Sequence, residues 1–146
     1  MDKLDREIIE ALRVNARVSY KDLGESVFLS ANAVSDRLRR LEEQGVVQGY
    51  EARINLRALD LSLGAVIEVK LNPGVTAAAF EAGLEGIPGI VEAMLMTGSF
   101  DYMVRVACRD QDALIRLTET LRERGGAKET HTRLLLRSVT LRTRLL

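Results

Sequence analysis

The stretch VFLSANAVSDRLRRLEEQG, residues 27–45, has the pattern of a single amphipathic helix. Ser30 stands where an N-cap is expected, because its side chain can accept a hydrogen bond from the first helical turn. Three apolar residues follow at spacings of four and three and so share one face: Val34, Leu38 and Leu41. Gly45 can end the helix in a left-handed conformation. The stretch therefore predicts a helix whose apolar stripe packs against a small domain.

The opposite face of this helix is polar and locally basic. It carries residue types that hydrogen-bond base edges and phosphates: Asn32, Ser35, Asp36, Arg39 and Arg40, with Arg37 towards one flank. The whole chain has a formal net charge of zero, so bulk electrostatics does not indicate nucleic acid. Because solvent exposure alone also produces a polar face, the residues are compatible with a solvated helix or with one that binds DNA.

Two shorter helices are predicted before it. An apolar stripe after the candidate cap Asp2 predicts a helix over residues 3–15, and its members are Leu4, Ile8, Ala11 and Leu12. Ser19 precedes Asp22 by three residues, as in a capping box, and Leu23 and Val27 form the inward face of a second helix. Only about three residues separate the second and third helices, which is the length of the turn in a helix-turn-helix.

After Gly49 the periodicity changes from helical to alternating. Residues 50–62 begin like a strand and continue as a connector, and GAVIEVKL at 64–71 alternates as a half-buried strand does. The remaining patterns predict, in chain order, a helix with Phe80 and Leu84 inward, strands over 90–96 and from Tyr102, a helix over 112–124 and a last strand, THTRLLLRSVTLRT, at 130–143. The order β-α-β-β-α-β folds most economically into a ferredoxin-like sandwich.

The predicted fold class is therefore α+β, in two domains. A three-helix, winged-helix-like helix-turn-helix covers residues 1–49, a short strand linker covers 50–62, and the ferredoxin-like domain covers 63–146. Both helices of that domain cover one face of its sheet, and the other face is expected to be largely apolar: Val66, Val91, Ala93, Leu95, Met103, Ala107, Leu135 and Val139. A second subunit's sheet is the simplest cover, which predicts a homodimer.

The loop TGSFDY, residues 97–102, has the chemistry of an amino-acid site. A carboxylate needs backbone N–H donors and an ammonium needs an acidic acceptor. Gly98 permits close backbone approach, Thr97 and Ser99 add hydroxyls, and Asp101 can accept from an ammonium. Tyr102 alternates onto the face of Val104, so it is either core or ligand wall. The same residues also suit an ordinary hairpin turn.

Other chemistries find no support in the sequence. Cys108 and His131 are each single residues of their kind, without partners at catalytic or metal-ligand spacing, so no catalytic, metal or cofactor site and no enzyme is predicted. No apolar run approaches the roughly 20 residues that span a bilayer. The N-terminus is charged from its second residue, unlike a signal peptide, and we expect a cytoplasmic protein with no membrane partner.

The whole pattern resembles the Lrp/AsnC group of bacterial and archaeal transcriptional regulators. Three segments carry the resemblance: LDREIIEALRVNARVSYKDL, LSANAVSDRLRRLEEQGVVQGYEARIN and GSFDY. Each is unspecific alone, but the three in this order and spacing are strong support, and together they span essentially the full chain.

The resemblance implies a function and two sites. It implies that the third helix recognises double-stranded DNA, with contacts from Ser30, Ala31, Asn32, Ser35, Asp36, Arg37, Arg39 and Arg40. It implies that Val46–Asn55 is a linking strand and that the βαββαβ domain dimerises, assembles into tetramers, octamers or larger discs, and binds an amino acid or related effector. The effector residues would be Thr97, Gly98, Ser99, Phe100, Asp101 and Tyr102. A DNA-organising protein with no effector and an enzyme on the ferredoxin-like domain are the alternatives.

Phe28 is the departure from the related proteins, which usually carry glycine in this turn. A left-handed backbone costs a bulky residue on the order of 1 kcal/mol or more. Either the turn is reshaped here or the ring of Phe28 is buried against the first helix. We expect Phe28→Gly to keep the fold, and clear loss of folding would show that the ring is core.

Overall fold

The computed structural model describes residues 1–139 and 141 of the chain. The chain divides between Arg53 and Ile54 into an N-terminal unit, which includes Met1–Arg53, and a second unit over Ile54–Ser138. The division falls inside the predicted linker. The predicted domain limits themselves stay predictions, and the last of them, residue 146, lies outside the described residues.

Three helices form the N-terminal unit: α1 over Lys3–Val14, α2 over Tyr20–Val27 and α3 over Ala31–Glu43. Each begins at a side chain that accepts a hydrogen bond from the backbone three residues on: Asp2, Ser19 and Ser30. Their inward stripes meet in one core of Ile8, Leu23, Val27, Val34, Leu38 and Leu41. The other members of the predicted first stripe, Leu4, Ala11 and Leu12, pack partly buried against this core. Full burial of one such aliphatic side chain stabilises a fold by about 1.5–3 kcal/mol.

The end of α3 is a Schellman motif. Gly45 has φ +68°, its N–H donates to Glu42 O at 2.9 Å, and the N–H of Val46 donates to Leu41 O at 2.9 Å. Beyond it, residues 46–55 form neither helix nor strand, and a short 3-10 helix covers Leu56–Leu59. The linker therefore differs from the predicted strand, because a strand requires backbone hydrogen bonds to a neighbour and no described strand pairs with this segment.

The second unit has the predicted β-α-β-β-α-β order. Its elements are β1 over Leu63–Leu71, α4 over Ala77–Leu84, β2 over Ile90–Leu95, β3 over Tyr102–Cys108, α5 over Gln111–Glu123 and β4 over Ala127–Leu134. The strands form one antiparallel sheet in the order β2-β3-β1-β4. One core joins helices and sheet, and it includes Ala65, Ile67, Val69, Phe80, Val104, Leu117 and Leu121. This is the ferredoxin-like sandwich.

The fourth strand is shorter than predicted and starts earlier. It begins at Ala127 and ends at Leu134, and residues 135–139 and 141 form no strand. The cause is its single neighbour: the pairing with β1 ends at Ala65 opposite Leu134, close to the first residue of β1, so later residues have little strand left to pair with. The predicted strand residues 140, 142 and 143 lie outside the described residues.

The open face of the sheet also differs from the prediction along β2. A bulge between Ile90 and Glu92 shifts the pairing with β3, and residues directly opposite each other share a face. Ala93 and Leu95 therefore share the face of their partners Val104 and Tyr102, where both remain exposed on this edge strand, and Val91 lies in the bulge. The open face carries Glu92 and Met94 instead. Val139 lies beyond the last strand, so the assignments of Ala93, Leu95 and Val139 to the open face were wrong.

The open face is consequently a mixture of apolar residues and ion pairs. Its apolar members are Val66, Met94, Met103, Ala107 and Leu135, the last packing over Gly64. Arg105 Nε lies 3.6 Å from Glu92 Oε2, and Arg133 Nη2 lies 3.0 Å from Glu68 Oε2. Part of the expected apolar surface is thus replaced by paired charges.

The turn before α3 keeps the left-handed conformation despite its bulky residue. Phe28 has φ 57° and ψ 42°, its N–H donates to Gly24 O, and its ring is 96% exposed. Both expectations for this residue were wrong, since the turn is not reshaped and the ring is not buried. Gly24 accounts for the geometry: a Cβ atom there would lie 2.5 Å from Leu29 O, so the turn can close only over glycine.

Candidate functional site

The N-terminal half of α3 presents the polar face that the sequence indicated. Six of the predicted DNA-contacting residues are exposed: Ser30, Ala31, Asn32, Asp36, Arg39 and Arg40. Ser35 is half-buried beside the core residue Val34. The stripe of Val34, Leu38 and Leu41 fixes which way this face points, because those three side chains are buried in the domain core. Small and polar side chains therefore occupy the first turns, where a recognition helix contacts base edges.

The two later arginines of α3 lie near carboxylates. Arg39 Nη2 lies 2.8 Å from Asp36 Oδ1 one turn back, and both side chains are 68% exposed. An exposed pair of this kind contributes little to stability, so its opening costs little. Arg40 Nη2 lies 3.4 Å from Asp5 Oδ1 and is half-exposed. Both guanidinium groups are thus accessible to an incoming phosphate.

Arg37 has a different place from the one predicted. Its Nη1 atom lies 2.6 Å from Asp2 Oδ2 and 2.7 Å from Asp5 Oδ1, both at the start of α1. The Asp5 side chain is only 4% exposed, so Arg37 neutralises a nearly buried charge. The guanidinium therefore braces α3 against α1 instead of pointing outward, because an uncompensated carboxylate inside the domain would be costly.

The aspartates of this cluster are held in their charged form. The hydrogen bond from Asp5 N–H, followed by Arg37, lowers the pKa of Asp2 below its ordinary value of 3.8. Burial acts to raise the pKa of Asp5, but the hydrogen bond from Asp2 N–H and the bond from Arg37 together outweigh it and lower that pKa as well. Hydrogen bonds to the two carboxylates raise the pKa of Arg37 in return. The cluster is fully ionised at neutral pH.

The TGSFDY loop joins β2 to β3, and its aspartate is already bonded within the protein. Asp101 Oδ2 accepts a hydrogen bond from Leu71 N–H at 2.8 Å, and Asp101 Oδ1 lies 3.1 Å from Lys70 Nζ. The bond from Leu71, followed by that from Lys70, lowers the pKa of Asp101. The Asp101 carboxylate, which was expected to accept from a ligand's ammonium, thus links the loop to β1. Any ligand ammonium must share this carboxylate with Lys70.

Tyr102 is a core residue, which decides between the two alternatives for it. It is 1% exposed, its ring centroid lies 4.5 Å from that of Phe80, and its hydroxyl donates to Glu81 Oε1 at 2.5 Å. Burial, followed by the bond to Glu81, raises the pKa of Tyr102 to about 12. Tyr102 was included among the predicted effector residues, but its buried ring is not accessible to a ligand, so in that respect the prediction was wrong.

The other residues of the loop are more open. Thr97, Gly98 and Ser99 are exposed, and Gly98 has φ +121° with empty space where a Cβ would be. Phe100 is half-buried, and its ring centroid lies 4.7 Å from that of His131 in β4. No local sequence pattern indicates that contact, since it depends on the pairing of β1 with both β3 and β4.

A shallow cleft of about 450 Å³ lies beside Asp101, within the size range of small-molecule sites. It is lined by Lys70, Leu71, Asn72, Pro73, Val75, Ala77, Leu95, Asp101 and Lys128. One carboxylate and two ammonium groups therefore face a partly apolar hollow. Lys70 and Lys128 were missed from the sequence, where each is simply a charge on an alternating strand. Their joint position follows only from the pairing of β1 with β4.

The described residues hold neither a metal-ligand cluster nor a membrane-spanning helix. They contain no group of three or more His, Cys, Asp or Glu side chains placed to hold a metal ion. Cys108 is buried, and burial raises the pKa of its thiol. No helix among them is both long and apolar enough to cross a membrane.

A helix-turn-helix with an exposed polar face, on the same chain as a ferredoxin-like unit with a shallow cleft, is the arrangement expected of ligand-responsive DNA-binding regulators. Family comparison agrees in both halves. The family described as winged helix-turn-helix DNA-binding matches residues 1–48, and the Lrp/AsnC ligand binding domain matches residues 64–145. The chain belongs to the Lrp/AsnC family of transcriptional regulators.

Characterised relatives and solved structures are similar over nearly the whole chain. The leucine-responsive regulatory proteins of Salmonella typhimurium and Escherichia coli K12 are 35% and 34% identical over 148 residues, which cover 99% of this chain and 90% of each relative. A transcriptional regulator from Neisseria meningitidis in complex with L-Met has a TM-score of 0.89 at 28% identity, covering 100% of this chain and 96% of that one. The feast or famine regulatory protein of Mycobacterium tuberculosis complexed with L-methionine has a TM-score of 0.89 at 29% identity, covering 96% and 95%.

The Arg37 cluster yields a pH-dependent prediction. We expect Arg37→Met to destabilise the N-terminal unit at neutral pH, since it removes the main cation from a buried carboxylate. The folded pKa values of Asp2 and Asp5 are lowered, so their contribution is present above 3.8 and is lost as the pH falls through the lowered values. The difference in thermal midpoint between wild type and variant should be widest at pH 7 and narrow below pH 3.8.

Arg39→Met is the matched control, because it removes an exposed ion pair from the same helix. It should shift the thermal midpoint little at any pH. A difference for Arg37→Met that stays constant across the pH range would contradict the ionic role of the cluster.

Proposed function

We propose that this protein is a sequence-specific transcriptional regulator whose DNA binding responds to a free amino acid or a related small metabolite. The observation that carries the proposal is the exposed, small and polar first half of α3, held in place by a buried apolar stripe. Regulation of transcription also supports a cytoplasmic location, and the proposal includes no catalytic reaction.

The DNA contacts divide by position along α3. Ser30, Ala31, Asn32, Ser35 and Asp36 lie on the first turns and would face base edges in the major groove. An asparagine side chain can bond adenine with two hydrogen bonds, which makes Asn32 the main candidate for reading sequence. Arg39 and Arg40 lie later and would contact phosphates, which position the helix without reading bases. Arg37 would act indirectly, by holding α3 against α1.

The effector would bind in the cleft beside Asp101. Lys70 and Lys128 offer ammonium groups to a ligand carboxylate, and Asp101 offers a carboxylate to a ligand ammonium. Leu71 and Leu95 add apolar surface for a side chain. The names of the relatives mention leucine, and two similar structures contain L-methionine, which supports an apolar amino acid as the ligand class. Thr97, Gly98 and Ser99 remain candidate contacts, whereas Phe100 does not line the cleft.

The assembly would be a homodimer through the open face of the sheet, able to associate further. Val66, Met94 and Met103 supply apolar contact area at its centre, and the ion pairs lie among them. A dimer would present two copies of α3 to half-sites about one DNA turn, or a multiple of it, apart. Effector binding would change how dimers pack and so the spacing of these helices.

We expect two substitutions on α3 to separate base reading from phosphate contact. Asn32→Ala should weaken binding to the protein's own upstream region by about 1–3 kcal/mol and leave binding to random DNA unchanged. Arg40→Ala should weaken both and reduce the slope of log affinity against log salt by about one. Fluorescence anisotropy over a salt series measures both effects. Wild-type protein with no preference for its upstream region over random DNA would contradict the proposed function.

We expect a thermal-shift screen of the twenty amino acids to find at least one apolar amino acid that raises the unfolding midpoint, because a ligand bound to the folded state stabilises it. Asp101→Asn should abolish the shift, since it removes the charge while its amide oxygen can still accept from Leu71 N–H. Asp112→Asn, an exposed aspartate of α5 that lines neither the cleft nor the open face, is the control and should keep the shift. The absence of any shift would favour a DNA-organising protein with no effector.

We expect Met103→Glu to lower the mass of the assembly measured by light scattering, because it places a charge in the centre of the proposed dimer contact. Ile115→Glu is the matched control, since Ile115 is an equally apolar but exposed residue of α5, in the helical layer. It should leave the mass unchanged. A wild-type monomer, or an unchanged mass for Met103→Glu, would contradict dimerisation through the sheet.

A further inference from the structure

Phe28 combines two unfavourable features at one position. Its ring is 96% exposed, the highest value among the large hydrophobic residues that the structure describes. Its backbone is left-handed, with φ 57°, a conformation that side chains other than glycine and asparagine rarely adopt. Its backbone N–H caps α2, but a ring so exposed adds almost no packing energy to offset the strain. Strained residues of this kind cluster at functional sites, where the surrounding structure enforces them.

The surrounding structure does enforce the position of the ring. Val27 is 4% exposed, and Leu29 packs against the same core, so the residues on either side are both held inward. The N–H of Leu29 donates to Gly24 O at 2.9 Å, which fixes the turn against α2. With both neighbours anchored and the backbone left-handed, the side chain of Phe28 has only the outward direction left.

That direction lies at the end of α3 that carries the proposed base-reading residues. Phe28 is two residues before the cap Ser30 and four before Asn32. Ser30, Ala31 and Asn32, which follow it in sequence, are exposed and small or polar. The core of a protein interface is instead apolar and poor in polar side chains, so a single ring in such surroundings fits a DNA groove better than a protein partner.

We propose that the Phe28 ring is a DNA contact, packing on a deoxyribose or a thymine methyl group beside the bases that face Asn32. Both are apolar groups on the duplex, and aromatic side chains contact them directly. The contact carries no charge, so it adds affinity without adding to the salt dependence. This inference rests on the proposed DNA-binding function, and it adds to the proposed DNA contacts a residue of the turn that lies outside α3.

The test compares Phe28→Gly and Phe28→Asn with wild type in the full-length protein. Both replacements tolerate a left-handed backbone, so both should keep the fold, and the strain they relieve should raise the thermal midpoint by roughly 4 °C. Both should nevertheless bind the upstream DNA about tenfold more weakly, which corresponds to about 1.4 kcal/mol. The slope of log affinity against log salt should be unchanged. A gain in stability with a loss of affinity cannot arise from a purely structural role.

Two further arms identify the contact. Replacement of thymine by uracil in the DNA fragment should weaken wild-type binding but not that of Phe28→Asn if the ring meets thymine methyls, and should weaken neither if it meets deoxyribose. Val14→Asn, an exposed apolar residue at the end of α1, is the control and should leave affinity unchanged. Wild-type affinity in both Phe28 variants would overturn the proposal. If the variants also formed an assembly of lower mass by light scattering, the ring would instead belong to a contact between copies of the chain. Failure of the wild type to prefer its upstream region would instead overturn the DNA-binding function itself.

Discussion

The close approach of the turn to α2 governs the geometry of the DNA-binding half. Leu29 O lies 2.5 Å from where a Cβ atom of residue 24 would be, so only glycine allows the two segments to meet. That approach closes the turn with the hydrogen bond from Leu29 N–H to Gly24 O, places Phe28 in a left-handed conformation and brings Ser30 into position as a cap. The orientation of every proposed DNA contact thus depends on residue 24 being glycine, which has no side chain.

The sequence predicted the elements whose signals are local. Asp2, Ser19 and Ser30 cap helices because each acceptor reaches a backbone N–H only three residues away, and the apolar stripes repeat within each helix. The sequence did not predict the faces of β2. One extra residue at the bulge after Ile90 moves every later side chain to the other face, and an alternating pattern looks the same in either register. The end of β4 was missed for a related reason, since it is set by the length of β1.

The candidate sites were predicted in outline, and they differ where distant partners intervene. Arg37 looks like any basic residue on the flank of a helix until α1 brings the nearly buried Asp5 to it from 32 residues away. Asp101 looks like a free acceptor until β1 brings Leu71 N–H and Lys70, about 30 residues earlier, to its two oxygens. In both cases a residue distant in sequence forms the bonds of a charged group whose partner could not be identified from the local sequence pattern. Tyr102 differs from these two, because its alternation with Val104 had made the core one of its two predicted places, and the structure puts it there.

The paired charges on the open face of the sheet limit what can cover it. Glu68 and Glu92 are each bound to an arginine of a neighbouring strand, and within the described chain Glu68 Oε2 is buried without a hydrogen-bond donor in good geometry. A surface that covers these groups must offer matching donors, since an uncompensated buried charge is strongly unfavourable. Apolar area alone is therefore insufficient for a stable cover of this face. Whatever packs on it must supply polar groups at the positions of the two ion pairs as well as apolar contact.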